Sequence, residues 1–323
     1  MSELNSERAL NRLLYEIASE QGIRVESLGQ GWIFRLTLGG TVRYIYGYGF
    51  DLNSAATHAI ACDKSAAADV LASQGIAHVE HRLYLHPRMR QFVPHAGNWR
   101  GMLEFARQHG MDVVVKDNAG TGGRGVYRAR SEVELEDAVY RLYERTHAVA
   151  LSPFVLADVE YRFIMLDGRC EGAYTKQRPT VTGDGRRTIL EILAAQVASE
   201  GGAGRTARTL ANLDPDTAGT LGEVLPAGIT RLLNWRHNLG QGATVTMVDC
   251  NAPSVAQALA IATQASHALN LRFGSVDVIG ESDAPCILEV NSGVMMEFLA
   301  ATQQGGYELA KSIYRKALRM MFD

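Results

Sequence analysis

Cysteine is scarce, charge of the two signs nearly cancels, and no apolar run approaches the length of a membrane span, so several functional classes fall away at once. The four cysteines, Cys62, Cys170, Cys250 and Cys286, form no C-x-x-C pair. That removes a zinc ribbon or a redox motif and leaves structural, reduced thiols as the expectation. A formal charge of -3 over 323 residues argues against nucleic acid as a partner. The opening Met1–Leu10 stretch carries Glu3, Glu7 and Arg8 without an apolar leader core, so the expectation is a cytoplasmic protein with no membrane association. No internal repeat stands out. What the chain does have is core: with 46% hydrophobic and 21% charged residues it is long enough to fold as two or three lobes.

Glu7–Gln21 places Leu10, Leu13, Leu14, Ile17 and Ala18 at helical spacing and stops at Gly22. Two apolar runs, Trp32–Leu36 and Val42–Tyr46, flank Gly39-Gly40 as a hairpin. Helices are predicted over Asp63–Gln74 and Trp99–His109, each followed by a glycine. His78, His81 and His86 cluster within Gly75–Pro94, a stretch that reads as strand and loop, so a metal role for them is the weaker reading. Met111–Lys116 and Val126–Ala129 read as strands, and Ser131 with Glu134 as a capping box opening a helix. Strands follow at Ala148–Val155, Tyr161–Leu166 and Cys170–Lys176. Ala198–Ala227, poor in large apolar residues, reads as a flexible excursion. Ser254–Asn270 and Tyr307–Met321 read as helices, and Gly274–Ile279 and Cys286–Val290 as strands.

Chemistry concentrates in two places. Gly120-Thr121-Gly122-Gly123-Arg124-Gly125 lets successive backbone N–H groups surround phosphate oxygens without Cβ clashes. Because Val126–Ala129 intervenes before the next helix, these glycines cap a hairpin rather than opening a Rossmann helix. A Gly-Lys-Ser/Thr ending and the kinase H-R-D and D-F-G set are lacking. Lys116 ends the preceding strand, where an ammonium can reach a phosphate; a solvated strand-end lysine is the alternative. Near the C-terminus, Glu289 and Asn291 stand two apart on one strand face, and Asp277 lies on a strand joined to theirs by the Gly280–Pro285 loop. Two carboxylates and an amide oxygen suit Mg²⁺, with Mn²⁺ as a substitute. The alternative is a pair of edge-strand acids.

Lys116, the flap, Asp277, Glu289 and Asn291 resemble the ATP-grasp superfamily in order and spacing. Asp63-Lys64 through Ile76 is similar to that family's opening helix, whose lysine approaches the nucleotide. Val159–Arg162 resembles the strand after the adenine hinge, which implies a ribose contact for Glu160 and adenine contacts at Ser152, Phe154 and Val155. Arg178–Gly185 with Thr188–Glu191 looks like the ATP-grasp part of cyanophycin synthetases and bifunctional glutathione synthetases. Arg236–Gly242 resembles a stretch of ribosomal-protein glutamate ligases. The likeness covers roughly Ala61–Gly293. Ser152-Pro153 stands where many relatives place a glutamate, Ser292–Met296 replaces the usual proline and glycine, and the Mur-ligase-like half of cyanophycin synthetase is missing.

The resemblance implies an α+β ATP-grasp fold with nucleotide held between two sheets. It divides the chain into a small N-terminal α+β lobe (1–97), a mobile glycine-rich lid (98–149) and a C-terminal lobe (150–323) carrying the metal ligands and the excursion near 198–227. The implied activity is ATP-dependent carboxylate–amine ligation through an acyl phosphate, releasing ADP and phosphate. Its substrates would be small-molecule or peptide acids and amines. Arg236, Lys176, Arg178 and Asn238 are the catalytic candidates, and Lys64, Lys116, Gly120–Gly125, Ser152, Phe154, Val155 and Glu160 would hold ATP. A carboxylase or phosphotransferase on the same fold, or a non-catalytic nucleotide-binding module, are the rival readings. A homodimer is the default assembly.

Overall fold

The computed structural model describes residues 8–200, 204–280 and 284–323. The opening stretch through Glu7, part of the expected excursion and half of the Gly280–Pro285 loop therefore lie outside the described residues. Helix α1 (Ala9–Gln21) turns Leu10, Leu13, Leu14 and Ile17 inward, all essentially unexposed. Gly22 closes it with a φ of 67°, its N–H bonded to Ala18 O, a left-handed cap that glycine adopts without a Cβ penalty. Strands β1 (Arg24–Leu28), β2 (Ile33–Leu38), β3 (Thr41–Tyr46) and β4 (Gly49–Phe50) follow as an antiparallel meander. Gly39 and Gly40, at φ 56° and 85°, make the β2–β3 turn. This unit has no separate core. Phe34, Leu36 and Ile45 join the α1 stripe, Phe273, Ile164, Tyr174, Ile313, Tyr314 and Leu318 in one apolar cluster, so the N-terminal residues are packed on the C-terminal part of the chain.

Helix α2 (Ala55–Ala61) is capped by Ser54 and α3 (Lys64–Ser73) by Asp63, each side chain accepting from a first-turn N–H. Next come β5 (Arg82–Leu85), α4 (Trp99–Gln108), β6 (Val113–Asp117), β7 (Val126–Ala129), α5 (Glu132–Tyr143) and β8 (Ala148–Pro153). The strands form an antiparallel sheet in the order β5-β8-β6-β7. Val113, Val115, Val149 and Leu151 pack under Met102 and Phe105 of α4 and Leu135, Val139 and Leu142 of α5. Strand alternation then sends Val114, Lys116, Ala150 and Ser152 to the opposite face. The capping box expected at Ser131 is half formed: Ser131 Oγ accepts from Glu134 N at 3.2 Å, but the Glu134 carboxylate takes Arg130 N at 2.7 Å instead of the cap's own N–H.

Beyond this sheet run β9 (Val159–Leu166), β10 (Arg169–Gln177), β11 (Thr180–Thr182), α6 (Ile189–Ser199), α7 (Arg205–Leu210), α8 (Pro215–Ala218), β12 (Thr230–Leu232) and β13 (Thr244–Val248). The reciprocal capping box belongs to α6, between Thr188 and Glu191. Where a flexible excursion was expected, the described residues carry α7 and α8. They pack a small core in which Leu210, Leu213 and Leu221 cover Val181, Ile189, Ile192, Leu193, Leu225 and Leu233. Helix α9 (Ala256–Ala268), β14 (Phe273–Ile279), β15 (Cys286–Asn291), α10 (Glu297–Thr302) and α11 (Gly306–Met320) complete the chain. A five-stranded antiparallel sheet runs β13-β10-β9-β14-β15. Phe163, Met165, Val276, Val278 and Val290 on one face pack against Ala258, Ala262 and Ala265 of α9 and Leu71 of α3. Cys170 and Cys250, distant in sequence, lie with sulfurs 2.7 Å apart as free thiols. No described helix is long and apolar enough to cross a membrane.

Candidate active site

Lys116 lies near the end of β6 on the face turned away from α4 and α5, and Gly120–Gly125 forms the β6–β7 turn just beyond it. Gly122 and Gly123 sit at φ 68° and 71°. For Gly123 the need is double, because a Cβ there would lie 2.5 Å from Asn238 Nδ2. The flap rests on the segment 236–241: Arg236 Nη2 donates to Val126 O at 2.8 Å and Gln241 Nε2 to Gly123 O at 3.4 Å. Arg236 also stacks on Trp235, 4.4 Å from the ring centroid, while its Nε has no partner. Burial lowers its pKa from the ordinary guanidinium value. Asn234, wholly buried, fixes this turn by accepting from Arg236 N at 3.0 Å and donating to Asn212 O at 2.7 Å.

Lys64, at the start of α3, connects flap and strand. Its Nζ donates to Gly120 O at 2.6 Å and lies 3.2 Å from Glu289 Oε1. The buried Asn118 docks the same helix end, accepting Lys64 N on its carbonyl at 3.1 Å and Ser65 N on its side chain at 3.1 Å. On the five-stranded sheet, Asp277 is directly opposite Glu289, and Ser275 opposite Asn291. Directly opposed residues of an antiparallel pair share a face, so Asp277, Glu289 and Asn291 do converge on one side.

Asp277 is not idle there. Arg162 holds it bidentately, Nε at 2.6 Å and Nη2 at 2.5 Å, and Lys176 Nζ approaches at 3.1 Å. Burial opposes its ionisation, but the guanidinium and ammonium outweigh that and keep its pKa below the usual carboxylate range. Lys176 also bonds Glu160, whose pKa burial raises. Thus Glu160, expected on the ribose, and Lys176, expected in catalysis, belong with Asp277 to a buried trio that the partly exposed Arg162 completes. Arg178 pairs with the exposed Asp158 at 2.8 Å. Sequence reasoning gave Arg162 no role, although its spacing from Glu160 on a strand puts both on one face.

The residues expected around adenine lie on and near β8. Ser152 is buried and its Oγ has no partner, an orphan donor and acceptor that a heterocycle edge could satisfy. Val79, Ala157 and Ile279, with Val155, Cys286 and Leu288, form a separate small apolar cluster. Phe154 lies under the Arg128 guanidinium, 3.5 Å from its ring centroid, and edge-on to Trp235. In place of the usual proline and glycine after Asn291, Ser292 Oγ meets His58 Nδ1 at 2.5 Å. His81 contacts Lys116, whereas the His78 and His86 rings meet backbone at Ile76 O and Arg88 N. Among the described residues no three His, Cys, Asp or Glu side chains cluster for a metal. Any cation at β14–β15 would therefore need the Asn291 amide beside the two carboxylates, a hard-oxygen set that fits Mg²⁺.

No protein-family model matches the chain. A glutathione biosynthesis bifunctional protein GshAB from Lactiplantibacillus plantarum is 28% identical over 184 residues, which is 56% of this chain and 23% of that protein. GshAB from Streptococcus thermophilus is 31% identical over 90 residues, 27% of this chain and 12% of its own length. The alignments thus span less than a quarter of these curated relatives. Among solved structures, a bifunctional glutathione synthetase from Pasteurella multocida superposes with a TM-score of 0.54 at 15% identity, covering 95% of this chain and 44% of that one. The D-alanine–D-alanine ligase of Bacillus anthracis gives 0.52 at 15%, covering 83% and 68%. The fold is the ATP-grasp fold, an α+β arrangement shared with these ligases.

Proposed function

We propose that this chain is an ADP-forming carboxylate–amine ligase that uses ATP with Mg²⁺. One observation carries the reading: a single ammonium, Lys64 Nζ, touches both the glycine flap at Gly120 O and the β15 carboxylate Glu289. The phosphate-covering loop and the candidate metal ligands are therefore one side chain apart. ATP would lie between the two sheets, with adenine by Ser152, Val155 and Leu288, and phosphates under Gly120–Gly125 beside Lys64 and Lys116. Asp277, Glu289 and Asn291 would hold the cation, which supplies charge neutralisation on phosphate oxygens.

Attack of a substrate carboxylate oxygen on the γ-phosphorus breaks its bond to the β-bridging oxygen, forming an acyl phosphate and ADP. The amine then attacks the acyl carbon, loses a proton, and expels inorganic phosphate. Two anions must meet in the first step, so the chain must contribute cations, with Lys64, Lys116 and Arg236 beside the flap. Arg236 spans Trp235 and the flap strand, where a planar guanidinium can reach oxygens of the transferring group. Arg178 and Lys176 would stabilise charge from the β10 side, and Asn238 would contact the flap. The flap excludes water from the acyl phosphate until the amine arrives. The names of the relatives, glutathione synthetase and D-alanine–D-alanine ligase, support an amino acid or peptide as substrate.

A screen of amino acids and short peptides in pairs with amines, read by phosphate release and by hydroxylamine capture of the acyl phosphate as a hydroxamate, tests this. ADP, phosphate and an acid-dependent hydroxamate are expected. AMP with pyrophosphate, or phosphate release indifferent to every acid and amine, refutes it.

A further inference from the structure

His81 stands where the two sheets meet. Val79 N donates to Ile287 O at 2.8 Å and Ile287 N to Ala77 O at 2.9 Å, which ties its segment to β15. From Arg82 onward the same segment is β5, paired with β8. His81 is 5% exposed. Its Nδ1 lies 2.9 Å from Val79 O, and a carbonyl can only accept, so Nδ1 carries the proton. The Nε2 lone pair is left for Lys116 Nζ, 2.9 Å away. Burial first, and the Lys116 ammonium second, push the His81 pKa well down, with Lys64 and His78 acting the same way. Glu289, Lys64 and Glu160 are the other charged groups that act on Lys116.

The neutrality of this partner matters. Lys64 and Lys176 each contact a carboxylate, Glu289 and Glu160, which cancels part of the charge they could offer an anion. A lysine has four rotatable bonds, and a neutral acceptor fixes its ammonium without cancelling it. We propose that His81 is a positioning residue for Lys116, holding that ammonium on the nucleotide face of the lid sheet through Nε2 while leaving its full charge for phosphate. This rests on the reading of Lys116 as a phosphate-binding lysine.

The test compares binding of the β,γ-imido analogue of ATP with binding of adenosine, which lacks phosphates, in otherwise wild-type protein. His81→Leu removes the acceptor. His81→Gln restores an acceptor near the Nε2 position, and His81→Asn restores one only near Nδ1. The leucine variant is expected to lose about ten- to a hundredfold in analogue affinity, the range for one hydrogen bond to a charged group. Adenosine binding should hold, glutamine should recover most of the loss, and asparagine should not. In a Lys116→Met background the His81 substitutions should cost nothing further. Should the leucine variant not fold, the asparagine–glutamine contrast gives the same reading. Equal losses for the analogue and adenosine, or unchanged losses in the Lys116→Met background, make His81 merely a hinge-packing residue and overturn the proposal. So does no loss at all. Lys116→Met alone leaving analogue affinity intact would instead overturn the phosphate role of Lys116.

Discussion

Gly122 and Gly123 are neighbours with the same left-handed backbone, yet they should respond differently to the same methyl group. Each sits near φ 70°, where an L-residue costs about 1–2 kcal/mol. At Gly122 an added Cβ meets nothing within 4 Å, whereas at Gly123 it falls 2.5 Å from Asn238 Nδ2 and 2.9 Å from Asn238 Cγ. Relieving that overlap moves either Asn238 or the flap, at a further cost of about 1–3 kcal/mol. A variant flap that relaxes out of this conformation must be driven back to it to cover nucleotide, so Gly122→Ala should weaken binding of a non-hydrolysable ATP analogue about five- to thirtyfold, and Gly123→Ala about tenfold more than that. Isothermal titration of both variants, with adenosine as the phosphate-free control, measures the difference. Asn238→Ala should shrink the Gly123→Ala deficit towards that of Gly122→Ala, a coupling visible in a double-mutant cycle. Equal losses for the two glycine variants, or no coupling to Asn238, would mean that the flap does not close on the 236–241 segment when nucleotide binds.

Glu289→Ala and Asn291→Ala should abolish turnover while leaving nucleotide binding measurable and far less dependent on Mg²⁺; full activity at limiting Mg²⁺ would misplace the cation. Arg236→Lys should lower kcat roughly ten- to a thousandfold with little change in ATP affinity, which steady-state kinetics at saturating ATP resolves. Burial pulls the Lys116 pKa down to about 8, and the sign of its linkage follows. Between about pH 8 and 10.4 the unfolded chain binds the proton that the native state has released. This lysine's contribution to stability therefore rises with pH across that window, by up to about 3 kcal/mol, while ATP affinity falls as the ammonium is lost. Lys116→Met should flatten both trends in melting and titration series. Arg162→Leu leaves Glu160 and Asp277 sharing Lys176 alone and should destabilise the fold by about 3–5 kcal/mol, measured by denaturant unfolding.

What the sequence revealed was what is local. The α1 stripe repeats within one helix, the Gly39-Gly40 turn is two residues long, and the flap is six consecutive residues. Glu289 and Asn291 share a face by strand geometry alone. Strand β1 escaped because four of its five residues are exposed and the fifth only half-buried, so no alternation marks it. Helix α2 escaped because its seven residues are mostly alanine and only the cap at Ser54 announces it. The segment around 204–227 looked flexible because part of what it buries is threonine: Thr206, Thr209 and Thr217 are buried there, a residue that hydropathy does not count as core.

The candidate site divides in the same way, its motifs local and its side-chain partners distant. Asp277 could be read from sequence as an acid on an apolar strand, but the guanidinium that engages it comes from a residue 115 positions earlier. Nor does any spacing rule join Lys116 to a histidine 35 positions away. These long-range partners change the chemistry of the residues that the motifs pick out. A carboxylate between Arg162 and Lys176 is already neutralised before any cation arrives, so a metal at Asp277 must compete with two fixed positive charges. Glu289 faces one ammonium and remains partly exposed. Between the two acids, then, Glu289 is the one whose charge is more available, and loss of its carboxylate should weaken cation binding more than loss of Asp277. The motif treats the pair as equivalent; the ion pairs separate them.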